Sequence, residues 1–206
     1  EALQKGFENL KYHVKNVENF GVKAVVAINR FPTDTQREIE LMEKLMDLER
    51  IEWALSEVYE KGSSGGLELA EKVVKEADRN PNPEIKYTYD VDDPVNEKIE
   101  KIAKKVYGAR GVNYTKDALD DLKRIEKLGL EKSFVCMAKT QLSISDDPKL
   151  LNVPRDFDVT VREIRIMSGA GYVVPILGEI ITMPGLPKEP AAYRIDLTED
   201  GRITGI

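Results

Sequence analysis

Leu3, Phe7, Leu10, Val14 and Val17 recur at intervals of three and four, which predicts an amphipathic helix over 2–19 closed by Phe20-Gly21. Ala24-Val25-Val26-Ala27-Ile28 follows, an apolar run too short for a free-standing helix. It predicts a strand buried on both faces, as inside a parallel sheet covered by helices. Asn29-Arg30-Phe31-Pro32 leaves its carboxyl end, and Thr35 with Glu38 three residues on makes a capping box for the next helix, which carries Ile39, Met42, Leu45 and Met46 to about residue 49. A second extended run, Trp53 to Tyr59, meets the turn Lys61-Gly62-Ser63-Ser64-Gly65-Gly66, and Leu67 to Ala77 reads as a third helix. Helix, strand, helix, strand, helix is the alternation of a parallel sheet.

Arg79-Asn80-Pro81-Asn82-Pro83 interrupts this order, and the polar stretch to Asp93 reads as a linker. Asp93 as N-cap and Pro94 at the first helical position open a helix with Val95, Ile99, Ile102 and Val106 inward. Gly108 to Tyr114 reads as a loop. Thr115 caps a helix bearing Ala118, Leu119, Leu122, Ile125 and Leu128, closed by Gly129. Phe134 to Ala138 is a short apolar strand ending in Lys139-Thr140-Gln141. Beyond Asp147 the period changes to two: Phe157, Val159 and Val161 alternate with polar residues, and strands are expected at 172–177 and 179–183 around the turns Ser168-Gly169-Ala170-Gly171, Pro184-Gly185-Leu186-Pro187 and Asp200-Gly201. The expected fold is α/β, βαβ layers of parallel sheet with helices on both faces plus a small β-rich carboxy-terminal portion. Three regions divide it: 1–78 with the strand-end loops, 79–133 linker and helical, 134–206 strand-rich.

Composition narrows the chemistry. At 206 residues the chain can bury a real core. A net charge of −6 leaves no basic excess for nucleic acid or an anionic membrane surface. No apolar segment approaches the about 20 residues of a membrane span. Cys136 and His13 are the only residues of their types, so neither a disulfide framework nor a Cys/His zinc site can be built, and a reducing cytoplasm fits. The chain opens with Glu1, inside a helix already under way, and reads as the back part of something larger.

Ligands in open α/β sheets gather at the carboxyl ends of strands. Phe31 lies just past one strand, stiffened by Pro32, and Tyr59 holds the equivalent place after the next. If the strands are neighbours, the two rings could flank a flat heterocycle, with stacking worth roughly 1–3 kcal/mol per ring; packing beneath adjacent loops is the plainer alternative. Asn29 to Asp34 loosely matches the Asn-Lys-x-Asp element that holds a purine in P-loop NTPases, although an Asn after a strand is more often a turn-former. Gly62 to Gly66 could cradle an anion on backbone N–H groups, but a plain turn suits it better, and no Gly-x4-Gly-Lys-Ser/Thr loop occurs. Cys136, inside an apolar strand, reads as an inert core thiol. Turn and cap roles account for Asp90, Asp92, Asp93, Asp146 and Asp147.

Several stretches together resemble the formate–tetrahydrofolate ligase (formyltetrahydrofolate synthetase) family, specifically its carboxy-terminal part: Asn9-Leu10-Lys11-Tyr12-His13, Val25 to Thr35, Gly65 to Ala70, Val135 to Gln141, Ser145-Asp146-Asp147-Pro148, Ile181 to Pro187 and Asp200 to Gly205. The resemblance implies an enzyme that uses ATP with Mg to join formate to tetrahydrofolate through formyl phosphate, giving 10-formyltetrahydrofolate. It also implies a homotetramer and a monovalent cation whose position it does not give. By the same resemblance Phe31 and Tyr59 match the aromatic pair that sandwiches the pterin. Tyr59 stands where the family usually has Trp, a smaller stacking face, and Ser63-Ser64 replace a usual Gly-Glu pair. Asn29, Asp34 and Glu57 join the two rings as expected folate-site residues, with Lys139, Thr140 and Gln141 on the nucleotide side. The family's phosphate-binding loop and cationic groups have no counterpart here, so no catalytic residue is assigned and the chain is expected to be inactive without its amino-terminal part. Two other functions compete: a purine-binding half of another P-loop NTPase, and a non-catalytic docking or oligomerisation domain.

Overall fold

The computed structural model describes residues 1–178, 180 and 188–205. The strand expected at 179–183, apart from Ile180, and the turn at 184–187 lie outside them. The chain runs α1 (Ala2–Asn19), β1 (Val25–Asn29), α2 (Gln36–Glu49), β2 (Glu52–Ser56), α3 (Val58–Lys61), α4 (Leu67–Arg79), α5 (Val95–Lys105), β3 (Gly111–Tyr114), α6 (Lys116–Lys127), β4 (Phe134–Val135), β5 (Asp158–Met167), β6 (Tyr172–Leu177), β7 (Asp196–Leu197) and β8 (Ile203–Thr204). It is a mixed α/β fold with parallel strand pairs and a small strand-rich carboxy-terminal portion, as expected.

β1 and β2 pair in parallel, Val25 opposite Glu52 through Asn29 opposite Ser56, with α2 as the crossover. The capping box forms: Thr35 Oγ1 accepts from the Glu38 amide while the Glu38 carboxylate accepts from the Thr35 amide and hydroxyl. Two readings need correction. β1 is not sealed on both faces: Ala27 and Asn29 are exposed and the rest half-buried, and among the described residues only β2 pairs with it. β2 stops at Ser56 rather than running to Tyr59, since the 57–61 backbone coils into the single turn α3, with Glu60 and Lys61 N–H both bonding the Glu57 carbonyl.

The second sheet has strand order β3-β5-β6-β4, with β3–β5 and β4–β6 parallel and β5–β6 antiparallel. Residues 111–114, expected as loop, are therefore a strand. Four residues show no period, but Val112 and Tyr114 pack on the core, and Arg110 forks onto Asp158 (Nε–Oδ1 3.1 Å, Nη2–Oδ2 2.7 Å) to fix the start of the pairing. β5 is irregular between Val161 and Glu163. There α6 supplies the missing partners: Thr115 Oγ1 donates to the Arg162 carbonyl and Asp121 accepts from the Ile164 amide. Val95, Ile99, Ile125, Val159, Val161, Val173 and Leu177 form the centre of one core between α5, α6 and this sheet.

Asp93 is not the α5 N-cap; Pro94 holds that place, and Asp93 accepts instead from the Asp90 amide and pairs with Lys101. The Lys98 side chain is fully buried, its ammonium donating to the carbonyls of Val91, Lys132 and Ser133 (2.8, 2.7 and 3.2 Å) between the Tyr89 and Phe134 rings. β7 and β8 form a hairpin around the tight turn expected at Asp200-Gly201.

Helix α1 links the two sheets. Tyr12 Oη and Asn16 Nδ2 both donate to the Val106 carbonyl, at the end of α5 (3.0 and 2.9 Å), and Asn9 and Asn152 exchange hydrogen bonds with backbone on either side. Lys11 pairs with Glu49 of α2. Gly108, at φ +70°, lies so close that an added Cβ would sit 2.8 Å from Tyr12 Oη.

Candidate functional site

Parallel pairing places the carboxyl ends of β1 and β2 side by side, so the 30–35 loop and the 57–66 segment leave from one edge. Two bonds join them. The Arg30 amide donates to the Ser56 carbonyl at 3.0 Å, and Arg30 Nη1 reaches Glu57 Oε1 at 3.0 Å. Glu57 uses its other oxygen on Lys61 at 2.5 Å. Lys61 first, and then Arg30, hold its carboxyl below the usual glutamate value. Phe31 and Tyr59 project from these two tied segments, and both are largely exposed, at 52% and 79%. Aromatic faces left in water beside a strand end are available to a flat guest.

The other expected folate-site residues, Asp34 and Asn29, lie at the same strand ends. Asp34 closes the Phe31 loop: its carboxylate accepts from the Phe31 amide at 2.8 Å, and its own amide donates to the Phe31 carbonyl at 3.0 Å. These two bonds fix the backbone from which the Phe31 ring projects. Asn29 ends β1, exposed, opposite the buried Ser56.

Gly62 to Gly66 form a 3₁₀ turn folded back on the second loop. The Glu57 amide donates to the Gly65 carbonyl, and a Cβ on Gly65 would lie 2.5 Å from the Glu57 carbonyl. On Gly66 it would meet Val58 Cγ1 at 2.9 Å. The two glycines let the turn lie against the segment that carries Tyr59. The pattern shows the glycines; what makes them necessary is this close approach, which no local signal announces.

Lys139, Thr140 and Gln141 sit elsewhere, beyond β4. The Lys139 ammonium donates to the carbonyls of Thr140 (2.7 Å) and Ser143 over the Tyr107 ring, and burial pulls its pKa below the usual lysine value. Thr140 is buried and accepts from the Leu142 amide. Gln141 is exposed and, with Lys139, Asn9 and His13, lines a cleft of about 550 Å³ between α1 and the 141–152 loop. Sequence reading did not connect His13 and Asn9 with that loop, because the contact depends on how α1 docks.

Cys136 corrects another expectation. Among the described residues β4 lies at one edge of its sheet, and the pleat turns Val135 inward and Phe134 and Cys136 outward, so the thiol is exposed. Asp92 pairs with Lys132, Asp146 accepts from the Thr160 amide, and Asp147 from the Lys149 amide. Among the described residues no three His, Cys, Asp or Glu side chains gather to hold a metal ion, and no place for a monovalent cation follows from them. None of the described helices is long and apolar enough to cross a membrane.

The family model for formate–tetrahydrofolate ligase matches residues 1–206. Two curated relatives named formate–tetrahydrofolate ligase, from Thermoplasma acidophilum and Thermoplasma volcanium, are each 55% identical over 206 residues. Those residues are 100% of this chain and 38% of each relative, so the chain spans well under half the length of the proteins it matches.

Proposed function

The chain belongs to the formate–tetrahydrofolate ligase family, and on that premise we propose that it forms the pterin-stacking wall of the ligase's folate site. Phe31 and Tyr59 are the faces, and Glu57 with Arg30 is the brace that holds their two segments in step. The observation that carries this is the Arg30–Glu57 pair joining neighbouring strand ends whose aromatic residues stand exposed. Asp34 acts by setting the Phe31 loop, and Asn29 offers an amide at the same edge.

Formate, tetrahydrofolate and ATP with Mg are the substrates in this reading, with formyl phosphate as the intermediate. Its charge has to be met by fixed cations and dipoles. Of the cations flanking the stacking loops, Arg30 and Lys61 are engaged by Glu57. We therefore assign the phosphate chemistry to the part of the relatives that this chain does not span, and infer that the chain alone is inactive. Gln141, in the cleft with His13, is the group here best placed to touch the nucleotide; Lys139 braces its own loop.

The test is to place this chain in the matching 38% of the Thermoplasma acidophilum enzyme and replace Phe31 or Tyr59 by Ala. The expected result is a KM for tetrahydrofolate raised about 5- to 100-fold, the loss of one stacked ring, with the KM for ATP unchanged. Equal changes for both substrates would count against the pterin wall and favour a purine-binding role. A chain that melts unchanged with either ligand yet assembles with a partner would favour a docking domain.

A further inference from the structure

A parallel sheet of two strands is unusual, because parallel strands normally lie inside larger sheets with both faces covered. Here the two outer edges differ. On β2 the Trp53 carbonyl is taken by Lys72, whose ammonium also lies 5.2 Å from the Trp53 ring centre and pairs with Glu68. On β1, among the described residues, no backbone group has a hydrogen-bond partner other than β2. That edge is open.

Helix α4 is open beside it. Its side chains divide strongly into polar and apolar, yet none is buried. Leu69, Lys72 and Glu76 are the half-buried positions, while Leu67, Val73 and Val74 are exposed at 62%, 49% and 58%. Val73 and Val25 line one cleft of about 810 Å³, between α4 and the start of β1; Leu67 and Val74 line another of about 620 Å³. α4 packs on β2 through Lys72 and reaches β1 at Val73, so its exposed apolar side chains lie next to the start of the unpaired strand edge.

We propose that this combined surface is the seat for the rest of a formate–tetrahydrofolate ligase, which adds a strand along β1 and covers the α4 stripe. The partner is chosen on two grounds: the relatives extend far beyond the 38% this chain matches, and an unpaired strand flanked by aliphatic side chains asks for backbone hydrogen bonds together with apolar cover. This rests on the reading of the chain as part of that ligase, though not on the pterin wall.

The experiment is to co-express this chain with the portion of the Thermoplasma acidophilum relative outside the matched segment, with no folate present. Complex formation is followed by sedimentation and by amide hydrogen exchange. The expected result is a one-to-one complex in which exchange at Val25 to Asn29 slows at least about tenfold. Val74→Lys, a solvent-facing change that circular dichroism should report as folded, is expected to weaken the complex about tenfold or more. Three results would overturn the proposal: no complex, a complex with unchanged exchange at β1 and indifferent to Val74→Lys, or a chain that protects β1 and α4 equally by pairing with a second copy of itself. Failure of the Phe31 and Tyr59 variants to alter folate use would leave this result untouched.

Discussion

Arg30 and Glu57 lie one residue beyond the facing ends of two parallel strands, and their side chains close the gap at 3.0 Å. The pair is partly exposed, so its worth to global stability is small. Its effect is local: it sets the separation of two segments that each carry an exposed ring. Glu57→Gln in the hybrid enzyme is expected to raise the KM for tetrahydrofolate several-fold while leaving the melting temperature within about 2 °C. A large fall in melting temperature would mean that the pair supports the fold instead.

The same carboxylate sets an acid limit. Lys61, and after it Arg30, hold Glu57 below its usual value of 4.5. A depressed folded-state pKa means the tie is fully present above 4.5 and is lost as pH falls through the lowered value. Carboxyl NMR shifts should follow Glu57 titrating below the usual range in the native chain and rising toward it in Lys61→Met.

Gly65→Ala is predicted to cost about 1–3 kcal/mol and to disturb folate binding, because the new methyl group would meet the Glu57 carbonyl at 2.5 Å. Gly169→Ala is the control, since nothing lies within 4 Å of the position and its backbone is not left-handed. Urea denaturation of both should separate them clearly.

Lys98→Met is expected to destabilise the chain by about 2–4 kcal/mol, since the side chain is fully buried and three carbonyls turned toward its ammonium lose their donor. Lys104→Met, an exposed position on the same helix, should move the denaturation midpoint little.

Burial pushes the Tyr107 and Tyr114 phenols to about 12. Their folded-state values lie above the unfolded 10, so between about pH 10 and 12 the unfolded chain binds fewer protons and stability falls as pH rises. Ultraviolet titration should find these two phenolates forming last, and Tyr107→Phe should flatten the alkaline loss.

What could be read from the sequence was what short range decides. The Thr35–Glu38 box, the Thr115 cap and the turn at Gly201 each depend on groups within a few positions, and all three form. The βαβ alternation pointed to parallel strands, which β1 and β2 are, while their adjacency stood only as a condition. The errors came where distant groups decide. Val58 and Tyr59 favour strands and extend the apparent run of β2, while Gly65 and Gly66 pack against the turn that coils them. β3 passed for a loop because its four residues gain their order from β5 and from Asp158. Cys136 sits in an apolar run that reads as interior, but the pleat sends Val135 to the core and Cys136 to the opposite, uncovered face. At the candidate site the two rings were visible from spacing, but the bridge between their loops needed Arg30 and Glu57 brought together across a helix.

The Val106 carbonyl has a kinetic consequence. It belongs to the unsatisfied end of a helix, and its two donors lie 94 and 90 residues earlier, in α1. On a translating ribosome α1 emerges well before the acceptor it serves, so it waits, unlatched, until the β1–α4 unit and the linker have passed. Closing such a distant latch is slow compared with forming either helix, and it fastens α1 to the end of α5.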